Sequence, residues 1–136
     1  MKELTVAAVV QNLDTVTDFV NEQLDLMGCP MKIQMKIAVV IDEVFSNIAQ
    51  YAYPNGGGDV TVCVESLAQP AGMSMTFIDK GLYYDPLQKE DPDITLGINE
   101  RQVGGLGVFM IKKLMDDIRY EYKDEQNILT IRKYFE

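Results

Sequence analysis

The chain has 136 residues, 47% of them hydrophobic and 24% charged, a balance that suits a single globular domain spanning 1–136 whose core needs no disulfide or metal staple. Twelve basic residues against 21 acidic ones give a net charge of −9, which repels a phosphodiester backbone and argues against direct nucleic-acid binding. Histidine is absent, so the chain holds neither a Ser-His-Asp nor a Cys-His apparatus, no His-containing zinc site and no phosphoacceptor histidine.

In chain order, residues 4–10 have the β-branched content of an opening strand. Asn12 and Asp14 are candidate caps for a helix in which Leu13, Val16, Val20, Leu24 and Met27 recur at helical spacing, with Gly28 as its end. Pro30 suits the first turn of a second helix. Its apolar stripe runs through Ile33, Ile37, Ile41, Val44 and Ile48 until Pro54 and the Asn55-Gly56-Gly57-Gly58 run break it. Residues 60–64 and 73–78 read as strands joined by a turn over 69–72. A long segment without periodicity, 80–103, follows. Gly104-Gly105-Leu106-Gly107 then opens a third helix with Val108, Ile111, Leu114 and Met115 on its apolar side. Residues 118–122 and 128–134 form a closing hairpin over Asp124-Glu125-Gln126-Asn127. Strands segregated from helices predict an α+β two-layer sandwich, with a mostly antiparallel sheet and the helices on one face.

No apolar run approaches the ~20 residues that span a bilayer, and the N-terminal segment reaches polar residues too early for a signal peptide. Cys29 and Cys63 stand far apart in no ligand-like spacing, which predicts two buried or half-buried free thiols and a cytoplasmic setting.

Three clusters carry chemistry. On the second helix Glu43 and Asn47 are four residues apart, so a carboxylate and an amide share one face, placed by the helical wheel roughly opposite the Ile37/Ile41/Ile48 stripe. Such a pair binds a hard cation or orients a hydroxyl. Asp79-Lys80-Gly81 follows a strand directly and sets a carboxylate beside a close backbone turn, with Asp85 shortly after. Gly104, Gly105 and Gly107 expose backbone N–H groups at a helix start, where a phosphate is favoured and a −9 chain gains local anion compensation. Taken singly, each also fits a plainer role: a solvated helix face, a turn after a strand, a hinge before a helix.

Their order is what discriminates. The strings IDEVFSNIAQYAYP (41–54), DKGLYYDP (79–86) and GGLGVFMIKKLMD (104–116) together resemble the histidine-kinase-like (GHKL) ATPase superfamily and its Bergerat-type ATP-binding fold. Within it the chain is most similar to the anti-sigma factor serine-protein kinases. The resemblance implies ATP and Mg²⁺ as cofactors. It implies that Asn47 coordinates the metal and that Glu43 is the catalytic carboxylate that takes the proton of an attacking hydroxyl. It further implies that Asp79 meets the adenine amino group, with Gly81 beneath the base and Asp85 in the same nucleotide-binding string. Gly104, Gly105 and Gly107 would stand at the phosphates and Thr130 near adenine. The connection of about 17 residues before Gly104 would be a lid, longer than a passive link needs.

By the same resemblance, the partners are an anti-sigma-factor antagonist as phosphoacceptor and a sigma factor or similar regulator, with a homodimer as the assembly. Departures bear on catalysis more than on binding. Tyr83 stands where relatives often have Gly or Pro, Tyr51 stands where they often have His, and Arg101 is out of clean register with an arginine that supports transfer in some serine kinases. Two other readings follow: an ATP-binding switch that transfers no phosphate, and a catalytic piece of a sensor histidine kinase.

Overall fold

The computed structural model describes residues 1–88 and 105–136. Its elements in chain order are β1 (Lys2–Ala7), α1 (Leu13–Leu26), α2 (Met31–Tyr51), β2 (Asp59–Ala68), β3 (Ala71–Asp79), α3 (Gly105–Leu114), β4 (Asp117–Lys123) and β5 (Gln126–Tyr134). The five strands form one sheet in the order β1-β2-β3-β5-β4, and all four pairings are antiparallel. Gly104, Arg101 and the expected lid beyond residue 88 lie outside the described residues.

Alternation builds the core. In β2 the residues Val60, Val62 and Val64 are buried, and in β3 so are Met73, Met75 and Phe77. With Leu129 and Ile131 of β5 they turn one face of the sheet toward the helices, as the period of two requires. The helices answer with Val16, Val20 and Leu24 from α1 and with Ile37, Val40, Ile41, Val44 and Phe45 from α2. This is the expected α+β two-layer arrangement.

Helix α1 ends in a Schellman motif. Gly28 takes φ +73°, its N–H reaches Asp25 O at 3.1 Å, and Cys29 N–H reaches Leu24 O at 3.0 Å. Its start differs from expectation. Asn12 precedes the helix but makes no side-chain cap, and its Nδ2 donates instead to Ala7 O at 2.9 Å. That bond helps turn the chain out of β1, which ends at Ala7 and leaves Val9 and Val10 exposed. Pro30 stands just before α2 with extended backbone rather than inside its first turn.

The closing hairpin is tighter than the sequence suggests. Asp124 and Glu125 alone form the turn, both at positive φ (54° and 60°), and Gln126 and Asn127 already belong to β5. Two-residue turns of this handedness match the twist of the flanking strands.

Candidate functional site

Helix α2 contributes two polar side chains at i and i+4. Asn47 Nδ2 donates to Glu43 Oε1 at 3.1 Å, and both residues are half-buried. The bond fixes the Asn47 amide with its nitrogen toward the carboxylate, which turns its carbonyl oxygen elsewhere. Helix α3 closes over this pair. A Cβ on Gly107 would run into the Glu43 carboxyl group, so the first turn of α3 packs directly on the end of that side chain as it stands. Gly105 is the first residue of that helix.

Asp79 is the last residue of β3 and is 6% exposed. Its Oδ1 accepts from Gly81 N–H at 2.9 Å and from Asn127 Nδ2 at 3.0 Å. Burial pushes the Asp79 carboxyl above its ordinary value, opposed by those two donors. Gly81 lies against the end of α2, where a Cβ would collide with Ala52 O and Cβ. Next to it, Leu82 N–H donates to Ala52 O at 2.8 Å. The chain leaving β3 is therefore clasped to the helix that carries Glu43 and Asn47.

Asp79 and Asn47 line one cavity of about 480 Å³, whose apolar walls include Ile48, Phe77, Val108 and Leu129. Its size and mixed lining suit a small organic ligand. Because Ile48 shares this cavity with Asn47, the polar face of α2 flanks the apolar stripe rather than opposing it. Tyr51, Leu82 and Tyr83 form an aromatic and aliphatic mouth and are more than half exposed, at 55%, 60% and 53%.

The structure thus brings together Glu43, Asn47, Asp79, Gly81 and Gly107. It does not bring in Thr130. In the β3–β5 register Thr130 pairs with Thr76, and the two hydroxyls lie 3.2 Å apart. Thr130 sits between the buried Leu129 and Ile131, so its side chain leaves the sheet on the face away from the helices. Asp85 is also used locally: its Oδ1 accepts Leu87 N–H at 2.8 Å and caps the 3-10 turn at Pro86–Gln88.

The position facing Asp79 across the ladder is Asn127, a residue that sequence reasoning assigned to a turn. It is 6% exposed and lines the cavity. Strict alternation with Leu129 and Ile131 was the signal that could have placed it on the site face.

Comparison with known proteins fits this arrangement. A family model described as "Histidine kinase-like ATPase domain" matches residues 6–133, and the chain belongs to that family. The serine/threonine-protein kinase BtrW of Bordetella bronchiseptica is 23% identical over 103 residues, covering 76% of this chain and 72% of the relative. The serine-protein kinase RsbW of Bacillus cereus (strain G9842) is 31% identical over 109 residues, 75% of this chain; the match spans 63% of that relative's length. Among solved structures, the RsbU and RsbW domains of Rv1364c from Mycobacterium tuberculosis match with a TM-score of 0.64 at 17% identity, over 98% of this chain and 32% of the other. That last likeness is one of fold. No helix among the described residues is long and apolar enough to cross a membrane.

Proposed function

We propose that the chain is one ATP-binding domain acting as a serine/threonine protein kinase of a partner-switching pathway. It would phosphorylate a small anti-sigma-factor antagonist and bind a sigma factor or similar regulator, in the cytoplasm and as a homodimer. The observation that carries this reading is the shared cavity: the buried acceptor Asp79 and the Asn47 amide line it together, and Asn47 is hydrogen-bonded to Glu43 beneath the first turn of α3. The names of the relatives support the choice of a protein kinase.

In this reading Asp79 accepts the amino group of adenine, while Phe77 and Ile48 offer apolar surface to the base. The N-terminus of α3 supplies N–H groups and partial positive charge for phosphate. The donor set suits magnesium, which takes one or two protein ligands and completes its shell with phosphates and water. Asn47 would hold the ion through its carbonyl oxygen, and the metal would neutralise charge on the phosphates. Glu43, oriented by Asn47, accepts the proton of the attacking serine or threonine hydroxyl.

The test is incubation with γ-labelled ATP and candidate antagonist proteins. Label on a serine or threonine of the antagonist is the expected result. Tight binding of ATP and antagonist with no transfer would replace the kinase with a binding switch.

A further inference from the structure

Asn127 uses its whole hydrogen-bonding capacity on protein groups. Nδ2 donates to Asp79 Oδ1 at 3.0 Å and to Leu82 O at 2.9 Å. Oδ1 accepts Tyr84 N–H at 3.2 Å and the Tyr120 hydroxyl. The amide cannot be turned over. The Leu82 carbonyl can only accept and the Tyr84 amide can only donate, so each end of the side chain has one permitted identity. The Tyr120 phenol is pushed up to about 12, by burial first and by Tyr83 and Asp85 after it, so it remains a donor throughout the neutral range. Tyr120 is itself braced by the ring of Tyr83, edge-on at 6.0 Å.

Resting on the ATP-binding reading above, we propose that Asn127 is the residue that sets base specificity. It holds the Asp79 carboxylate and the Leu82–Tyr84 segment in one frame that accepts only a 6-amino purine. A side-chain amide can present either its nitrogen or its oxygen to a neighbour; here four protein partners forbid that exchange. Asp79 is left as a fixed acceptor, so a 6-oxo purine brings its carbonyl to a carboxylate with no donor between them. A site of this kind discriminates strongly because the wrong base leaves buried polar groups unpaired.

The groups around Asp79 that could confuse a titration are Tyr53 between α2 and β2, Asp59 and Lys80 beside the strand ends, Tyr120 on β4, and Tyr83 and Asp85 after β3. Among them the Asn127 amide is a neutral donor whose removal changes no charge.

The experiment compares wild type with Asn127→Leu and with the smaller, equally neutral Asn127→Ala, should the first variant fold poorly. Carbon-13 NMR follows the Asp79 carboxyl against pH without nucleotide, and calorimetry gives affinities for ATP and for inosine triphosphate. Both variants should titrate Asp79 at higher pH than wild type. ATP affinity should fall by about tenfold to a hundredfold while inosine triphosphate affinity changes far less, so the preference collapses. A purely structural role would weaken both nucleotides in parallel. Parallel loss, or an unmoved Asp79 titration, overturns the proposal. Wild type that binds neither nucleotide, with an Asp79 titration that still responds to Asn127, refutes the ATP reading and leaves the hold of Asn127 on Asp79 standing.

Discussion

Gly107 and Glu43 touch across the α2–α3 interface with no room for a methyl group between them. A residue of α3 thereby fixes where the carboxylate of α2 can lie. Gly107→Ala should displace the Glu43 carboxyl group, the movable end of its side chain, and the net loss of stability should stay at about 1 kcal/mol or less because alanine also favours the helix. Phosphate transfer should drop with it. The double variant Gly107→Ala/Glu43→Ala should recover most of the lost stability in thermal unfolding, with no recovery of transfer. Additive losses would mean that the two residues do not share the space.

Glu43 and Asn47 should fail in different ways. Glu43→Gln keeps an oxygen that can accept the Asn47 amide, so ATP affinity should stay within a few-fold. Transfer to the antagonist should fall by about 10²–10⁴, the ordinary worth of a general base. Asn47→Ala should instead weaken magnesium-dependent ATP binding. Calorimetry with and without magnesium, beside a transfer assay, separates the two. A Glu43→Gln variant that transfers at the wild-type rate removes Glu43 from the base role.

Asp79 should make the fold less stable as pH rises. Its carboxyl is raised in the folded protein, chiefly by burial, so the unfolded chain ionises first. Stability is then complete below the ordinary carboxyl range of about pH 4 and is lost as pH climbs through the raised folded value. Asp79→Asn keeps acceptor geometry toward Gly81 and Asn127 without that loss. Its melting temperature should match wild type near pH ~3 and exceed it near neutrality, while ATP binding weakens. Equal melting temperatures at both pH values would contradict a strained carboxylate.

Both cysteines should be slow to alkylate. Cys29 and Cys63 are 7% and 8% exposed, and burial raises both thiols, with Asp25 and Glu3 respectively adding to it. The thiolate is the reactive form, so labelling by iodoacetamide at mild alkaline pH should require unfolding. Mass spectrometry of native and urea-unfolded samples checks this. Rapid labelling of the native protein would show that either site opens readily.

The helices were legible because their signals are local: apolar spacing along α1 and α2, and Gly28 where a left-handed residue was needed. The sheet order was not, since β1 pairs with β2 across two intervening helices and no neighbouring residues encode it. Glu43, Asn47, Asp79 and Gly107 were accessible from motif order, and the structure gathers them. Thr130 came from the resemblance alone, and the alternation of β5 runs against it: the buried Leu129 and Ile131 on either side send its side chain to the face away from the helices. Asn127 was hidden because the closing turn was read too long; the turn at Asp124–Glu125 places it in β5 opposite Asp79.

The clasp between Ala52 and the Gly81–Leu82 backbone has a consequence for what fits in the cavity. Helix α2 touches both ends of the site, with Glu43 and Asn47 on its flank and Ala52 at its end. Glu43 and Ala52 are nine residues apart, about 14 Å along a straight helix at ~1.5 Å per residue. A hydrogen-bonded rod of this kind is a calliper with one jaw at each end. Under the nucleotide reading, a ligand seated against Asp79 must have the length to reach the far jaw, so a bare nucleoside would fill one end and leave Glu43 without a ligand group to act on. Chain length of the ligand would then be measured by a rigid span, independently of any contact to its middle.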